Sequence, residues 1–141
     1  MKEAKQRSTC PVSTSLDLLG DKWTLLIIRD LVFGGKSTYG EFLQSAEKIA
    51  TNILADRLTL LETQGMLTKV VAPDKKSKFI YRLTEKGIDT VPILVTLLLW
   101  GVKHGPTVID PGLLKEIQTE PAAAIEKYQR LVREKALLPL E

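Results

Sequence analysis

The sequence is poor in the residues that build metal sites and disulfide frameworks. Its 141 residues include one cysteine and one histidine, so no disulfide forms within the chain and no Cys/His cluster has zinc spacing. The first residues, MKEAKQRST, are polar and charged, which argues against a signal peptide. We therefore expect a protein of the reducing cytoplasm.

Signatures of catalysis and of membrane insertion are also missing. We find no glycine-rich phosphate loop, no paired carboxylates in an apolar setting and no Cys/His pair, so we predict neither enzyme activity nor a cofactor. The apolar run WTLLIIRDLVF, residues 23–33, is too short to cross a bilayer, and we expect no membrane partner. The net charge of +3 permits binding to a polyanion.

Hydrophobic spacing predicts mostly helices with one β-hairpin between them. Helices are predicted from Pro11 to Leu19, at residues 23–33, at about 38–45, at about 48–67, and after a cap at Thr84. Two more are predicted after residues 105–109, one from Asp110 and one over about 121–137. The hairpin flanks PDKKS, because β-branched and aromatic residues lie on both sides of this turn.

The helix at 48–67 has an outward face that differs from its core face. Thr51 or Asn52 is expected to cap its start and Gly65 to end it. The outward residues are short and able to hydrogen-bond: Asn52, Ala55, Asp56 and Thr59. A short helix, a turn, this longer helix and then a hairpin with lysines at its tip follow the plan of a winged helix-turn-helix. We therefore predict an α+β winged helix-turn-helix fold.

Four motifs in order make the sequence closely similar to the HxlR family of bacterial transcription regulators, which are winged-helix and MarR-like. They are CPVSTSLDLLGDKWTLLIIRDL, ILADRLTLLETQGML, YRLTEKG and PILVTLLLWG, which together span about residues 10–101. The resemblance implies a homodimeric regulator that binds double-stranded DNA, more commonly as a repressor. It also implies dimerisation through the first helix and the apolar helix after the hairpin.

These expectations divide the chain into a flexible segment at 1–9, a DNA-binding domain with its dimerisation helices at 10–104, and a helical tail at 105–141. The predicted DNA contacts lie on the helix and the hairpin tip, with further candidates around the turn: Thr51, Asn52, Ala55, Asp56, Thr59, Lys75, Lys76, Lys78, Lys36, Ser37, Thr38 and Lys48. Asn52 is the best candidate for reading a base, since its amide matches adenine. The lysines match phosphates.

Other interpretations of these residues stay open. The outward helix face and the lysines can be simply solvated, and winged helices can also dock proteins instead of DNA. Arg57 lies toward the apolar side of its helix, so we expect a structural residue paired with Glu41 or Glu62. Trp23 and Trp100 are expected in the core.

Cys10 precedes Pro11 and is expected at the N-cap of the first helix. Helix N-termini favour thiolates, so the thiol is a candidate sensor of oxidants or electrophiles. The resemblance supports this role, because some family members sense such compounds through the cysteine of the same Cys-Pro-Val segment. The alternative is a small buried side chain that only packs. An oxidant or small-molecule effector is therefore one expected partner.

Overall fold

The computed structural model describes residues 7–138, so parts of the predicted segments 1–9 and 105–141 lie outside the described residues. The elements are α1 (Pro11–Leu19), α2 (Lys22–Val32), α3 (Tyr39–Leu43), α4 (Thr51–Thr63), β1 (Leu67–Ala72), β2 (Lys75–Leu83), α5 (Glu85–Ile88), α6 (Val91–His104), α7 (Pro111–Thr119) and α8 (Pro121–Leu137). This order confirms the predicted α+β class. Within residues 7–138, no helix has the length and hydropathy that crossing a membrane requires.

Local signals set most helix ends. The Thr84 hydroxyl accepts from the Gly87 N–H, which confirms the predicted cap of α5. α4 ends as predicted at Gly65, whose φ of 74° suits a residue without a side chain. There the Met66 N–H donates to the Leu61 carbonyl and the Gly65 N–H to that of Glu62, which forms a Schellman motif.

The core lies where α2, α3, α4 and α6 meet the base of the hairpin. Its fully buried side chains include Ile28 of α2, Phe42 of α3, Leu54 and Leu58 of α4, and Val95 of α6. Burying one such side chain contributes about 1.5–3 kcal/mol to stability. This packing fixes α4 with one face inward and leaves its opposite face in solvent.

The hairpin, which we call the wing, is an antiparallel pair of β1 and β2. The regular register runs from Leu67–Leu83 to Val71–Phe79, and the next pair is Ala72–Lys75. Residues 76–78 therefore have no partner on β1 and form an irregular tip. The Tyr81 N–H donates to the Ser37 carbonyl at 2.7 Å, which joins the wing to the segment before α3.

The tail packs onto the winged-helix region. Ile117 of α7 and Ala124 and Val132 of α8 belong to the same hydrophobic core as α2 and α6. The Phe33 and Tyr128 rings meet edge to face with centroids 4.8 Å apart. Leu131 of α8 is 44% exposed and lies outside this core.

α6 has one buried and one exposed apolar face. Val91, Leu94 and Val95 are buried, whereas an outward group remains in solvent: Ile93, Leu97 and Trp100. The prediction that Trp100 packs in the core was wrong, because its indole is 65% exposed and lies beside the His104 ring instead. Trp23, by contrast, packs partly buried against the core as expected.

Candidate nucleic-acid interface

The outward face of α4 is polar and open to solvent. Thr51, Asn52, Ala55 and Thr59 are all exposed. The Thr59 hydroxyl donates to the Ala55 carbonyl at 3.0 Å, whereas the Asn52 amide forms no hydrogen bond with any other part of residues 7–138. A helix in the major groove needs such short, uncommitted donors and acceptors to reach base edges.

The start of α4 differs from the prediction. Ala50 occupies the N-cap, and Thr51 and Asn52 are the first two helical residues, so the predicted capping role of these side chains was wrong. Alanine cannot accept a capping hydrogen bond, and the first N–H groups of the helix therefore face solvent without a side-chain cap. Such an N-terminus attracts anions through its amides and its dipole.

Arg57 is a structural residue, as expected, but the predicted partners Glu41 and Glu62 were wrong. Its Nε donates to Asp21 Oδ2 at 2.6 Å, and its Nη1 contacts the Asp56 carboxylate. Sequence spacing could not identify Asp21, which lies 36 residues away. Asp21 also caps α2 through Thr24, so Arg57 links α4 to the start of α2.

The Arg57 guanidinium pairs with two carboxylates, those of Asp21 and Asp56. Desolvation alone would raise the pKa of Asp21, but the Arg57 and Thr24 hydrogen bonds lower that pKa overall. Asp56 was a candidate for base readout, and the structure instead pairs its carboxylate with Arg57. Neutralising a carboxylate on the face of α4 reduces its repulsion of phosphates.

Lys36 is engaged within the fold rather than free. Its Nζ donates to the Ser45 hydroxyl at 2.7 Å and lies 3.9 Å from Asp30 Oδ2. Asp30 is 6% exposed and also accepts from Arg29, whose guanidinium donates to the Glu47 carboxylate as well. The Lys36 ammonium thus holds α2 to the turn before α4, and the predicted phosphate contact by this residue stays a prediction.

Ser37 and Thr38 also serve local structure. The Thr38 hydroxyl accepts from the Glu41 N–H, and the Glu41 carboxylate accepts from the N–H groups of Ser37 and Thr38. This capping box fixes the start of α3. The Thr38 hydroxyl therefore already caps a helix, and the predicted DNA contact by this residue stays a prediction.

Tyr39 positions α4, a role that the sequence interpretation missed. Its ring is partly buried against the core. Its hydroxyl, however, donates to the Thr51 carbonyl at 3.0 Å, which holds the first turn of α4 against α3. No sequence signal distinguishes a tyrosine with this contact from a core tyrosine.

The remaining lysines are exposed and separate into two groups. Lys75, Lys76 and Lys78 lie at the wing tip, where Lys78 is 4.0 Å from Asp74. Lys75 and Lys76 pair with no carboxylate among residues 7–138. Lys48 lies two residues before the N-cap of α4, is exposed, and has a φ of 57°, which is uncommon for a residue with a side chain.

Cys10 is exposed and occupies the N-cap of α1, as predicted. The N–H groups of Ser13 and Val12 lower the pKa of this thiol, although its sulfur makes no capping hydrogen bond with them. The expected alternative, a buried packing cysteine, is wrong. An exposed thiol at a helix N-terminus forms the thiolate more readily than a buried thiol does, and the sensor role of Cys10 stays a prediction.

Known transcription regulators are similar to this chain in sequence and in fold. The chain is 34% identical over 88 residues to an HTH-type transcriptional regulator of Synechocystis, and the match covers 62% of this chain and 64% of that protein. A solved transcription factor, PA1607, has 39% identity and a TM-score of 0.65, with 74% of this chain and 73% of that chain covered.

A third similar protein is the transcriptional regulator YodB of B. subtilis in its reduced form. It has 29% identity and a TM-score of 0.55, and the match covers 69% of this chain and 95% of that chain. YodB has also been solved after diamide treatment. The HxlR-like helix-turn-helix family matches residues 18–108, which include α2, α3, α4 and the wing. The chain therefore belongs to the HxlR-like helix-turn-helix family of transcriptional regulators.

Proposed function

We propose that the protein is a sequence-specific regulator of transcription that binds double-stranded DNA as a homodimer in the cytoplasm. The observation that carries the proposal is the outward face of α4, which is exposed, with no hydrogen bond made by the Asn52 amide within residues 7–138; the lysines of the wing tip are exposed as well. Repression is the direction of control that the family resemblance favours.

In the proposed complex, α4 lies in the major groove and Asn52 reads a base. Ala55 is small enough to let the helix approach the bases, and its methyl group can contact a thymine methyl. The N–H groups at the uncapped start of α4, together with Lys48, are placed to meet a phosphate.

The wing supplies phosphate contacts beside the groove. Lys75 and Lys76 are exposed at its tip and keep their full charge for DNA. The Tyr81 N–H donates to the Ser37 carbonyl, which joins the wing to the helix-turn-helix. We therefore expect both elements to contact the same DNA duplex. Contacts of this kind position the protein without reading sequence.

A second copy of the chain is the proposed cover for the exposed apolar side chains of α1 and α6. These are Val12, Leu16, Ile93, Leu97 and Trp100. Exposed apolar clusters of this kind mark protein interfaces. A two-fold dimer places two copies of α4 against half-sites about one helical turn, or ~34 Å, apart.

Selection of bound duplexes from a random library tests the proposal. We expect enrichment of an inverted repeat with half-site centres about 10–10.5 base pairs apart. Light scattering should give the mass of a dimer at micromolar concentration. A monomer with full DNA affinity would contradict the dimer, and a library without enrichment would contradict sequence-specific binding.

Docking of another protein through the same surface is the alternative function. The two are separated by the salt dependence of binding to duplex DNA. Phosphate contacts predict a linear fall of the logarithm of affinity with the logarithm of salt concentration. Absence of any such salt-dependent DNA binding would favour the docking alternative.

Cys10 is the proposed point at which oxidants change DNA binding. Its exposed, lowered-pKa thiol supports this, as does similarity to YodB, which has been solved reduced and after diamide treatment. Two Cys10 thiols, or one and a small thiol, would lose two protons and two electrons to diamide and form a disulfide. Cys10→Ser should bind DNA but lose the response to diamide.

A further inference from the structure

A cavity of about 210 Å³ opens between the base of the wing and the end of α8. Its wall is formed mainly by β2 residues 80–83, with Leu31 of α2 and Ser37 on one side and Val132, Lys135 and Ala136 of α8 on the other. The family match ends at residue 108, so the part of the wall that α8 and Leu138 supply lies outside it. The cavity therefore depends on this chain's tail as well as on the wing.

The cavity has an apolar interior of useful size. Leu31, Tyr81, Leu83 and Val132 are buried apolar or aromatic side chains that line it. An apolar protein cavity of ~150 Å³ is large enough to bind benzene. A cavity of about 210 Å³ can therefore hold one ring or a short alkyl chain with a small polar group attached.

Two cationic side chains line the same cavity. The Arg82 guanidinium donates to the carbonyls of Ala136 and Leu138, both at 2.9 Å, and the Lys135 Nζ donates to the Gly35 carbonyl at 3.3 Å. Their partners are neutral carbonyls, and neither cation is within 4.0 Å of a carboxylate among residues 7–138. Arginine has five N–H donors and lysine three, so both keep donors available.

Glu41 is an acidic group whose field reaches Lys135. Its carboxylate, however, accepts from the N–H groups of Ser37 and Thr38 and from the Thr38 hydroxyl. Glu41 is not among the residues that line the cavity, and the lining residues carry two positive charges, on Arg82 and Lys135, and no negative one. An apolar pocket with a few converging polar groups is the usual form of a small-molecule site.

We propose that this cavity binds a small organic acid, with its apolar body against Tyr81 and Val132 and its carboxylate between Arg82 and Lys135. Arginine and lysine both form strong, charge-assisted hydrogen bonds to a carboxylate. The ligand would touch Ser37, whose carbonyl joins the wing to the helix-turn-helix. Binding would therefore shift the wing and change DNA affinity, a consequence that rests on the proposed function.

The binding test uses the full chain without DNA and two probe pairs, benzoate with benzamide and phenylacetate with phenylacetamide. Calorimetry and amide chemical shifts should show saturable binding of the acids, with the shifts centred on β2 and the end of α8. Each neutral amide should bind at least tenfold more weakly. Equal binding of acid and amide, or no shifts at these elements, would overturn the proposal.

Two variants test separately the positive charge of Lys135 and the free volume of the cavity. Lys135→Gln should weaken benzoate binding about tenfold, which corresponds to ~1.4 kcal/mol, and Ala136→Leu should abolish it by filling the cavity. Arg130→Gln and Ala122→Leu are the matched controls, since both residues are exposed on α8 and do not line the cavity. Circular dichroism checks folding. Unchanged binding in both Lys135→Gln and Ala136→Leu would overturn the proposal.

The coupling test adds operator DNA selected as above. Benzoate should change the DNA affinity of the wild-type protein severalfold and leave that of Ala136→Leu unchanged. Ligand binding with no change in DNA affinity would refute the coupling alone. If the protein binds no DNA, the proposed function fails, but the calorimetry still decides whether the cavity is an anion site.

Discussion

Lys36 and Lys76 are the same residue type, and both were predicted to contact phosphates, yet their surroundings differ completely. Lys36 donates to the Ser45 hydroxyl and lies beside buried Asp30. Lys76 projects from the irregular tip of the wing and has no acidic partner among the described residues. The difference shows that a lysine near a DNA-binding helix stabilises the fold where a polar or acidic group of the protein contacts its ammonium. Where no such group is near, the ammonium remains available to DNA.

Thr38 and Asn52 show the same division between polar groups that stabilise the fold and polar groups that remain available to DNA. The Thr38 hydroxyl closes a capping box with Glu41, whereas Asn52 follows an alanine N-cap and makes no such contact. Polar groups in the turn before α4 therefore stabilise the helix-turn-helix. Polar groups on α4 and the wing tip remain available to DNA. Four predictions test this division.

The largest expected effect is on stability, from Asp30→Ala. Asp30 is 6% exposed and accepts from Arg29 and Ser45, so its removal leaves the buried Ser45 hydroxyl and the partly buried Arg29 guanidinium without this acceptor. We expect the free energy of unfolding to fall by about 3 kcal/mol, measured by urea denaturation. Asp74→Ala at the wing tip is the control and should change it by less than about 0.5 kcal/mol. Equal effects of the two substitutions would refute the division.

Asn52→Ala should alter specificity without altering stability. If the amide reads one base, its loss should cost about 1–3 kcal/mol of discrimination at one base-pair position. Binding to duplexes that vary at each position measures this loss. Thr59→Ala is the control on the same face, because the Thr59 hydroxyl already donates to Ala55. An equal loss of affinity for all duplexes would instead indicate that Asn52 contacts the phosphate backbone of the DNA and not a base.

Lys76→Met and Lys36→Met compare the two lysines directly. Lys76→Met should weaken binding to all sequences alike and lower the salt slope by about one unit per half-site. Lys36→Met should leave that slope unchanged and lower the free energy of unfolding by about 1 kcal/mol, since it removes a hydrogen bond. The salt dependence of DNA affinity measures the first effect, and urea denaturation measures the free energy of unfolding. A lower slope for Lys36→Met would return that residue to the DNA interface.

The smallest effect is the pH dependence of the Glu47–Arg29 pair. The Arg29 hydrogen bonds lower the pKa of Glu47 from 4.5 to about 2 in the folded protein. A carboxyl with a lowered folded-state pKa stabilises the protein above its unfolded value, and this contribution is lost as pH falls through the folded value. Both side chains are about one-third exposed, so the contribution is small.

Comparison with Glu47→Gln measures this contribution. The wild-type protein should be the more stable of the two at neutral pH, and the difference should shrink as pH falls from 4.5 toward 2. Glu126→Gln, an exposed substitution on α8, is the control. A difference that stays constant over this pH range would show that the Glu47 charge does not stabilise the fold.

Much of the local structure was predictable because short-range signals set it. Pro11 starts α1, Thr84 caps α5 and Gly65 ends α4, as the residue types indicated. The N-cap of α4 was not predictable by residue type, because Ala50 occupies it where Thr51 or Asn52 was expected. There the hydrogen bond of Tyr39 to the Thr51 carbonyl helps to fix the first turn.

The sequence by itself determined the order of elements, the winged-helix plan and the exposed face of α4, since these depend on hydrophobic period and on neighbours a few residues apart. Only the tertiary structure decided the partners of the charged groups. Asp21 reaches Arg57 across 36 residues, and Arg82 reaches Leu138 across 56. Such pairs depend on how helices and strands pack, which no local pattern encodes.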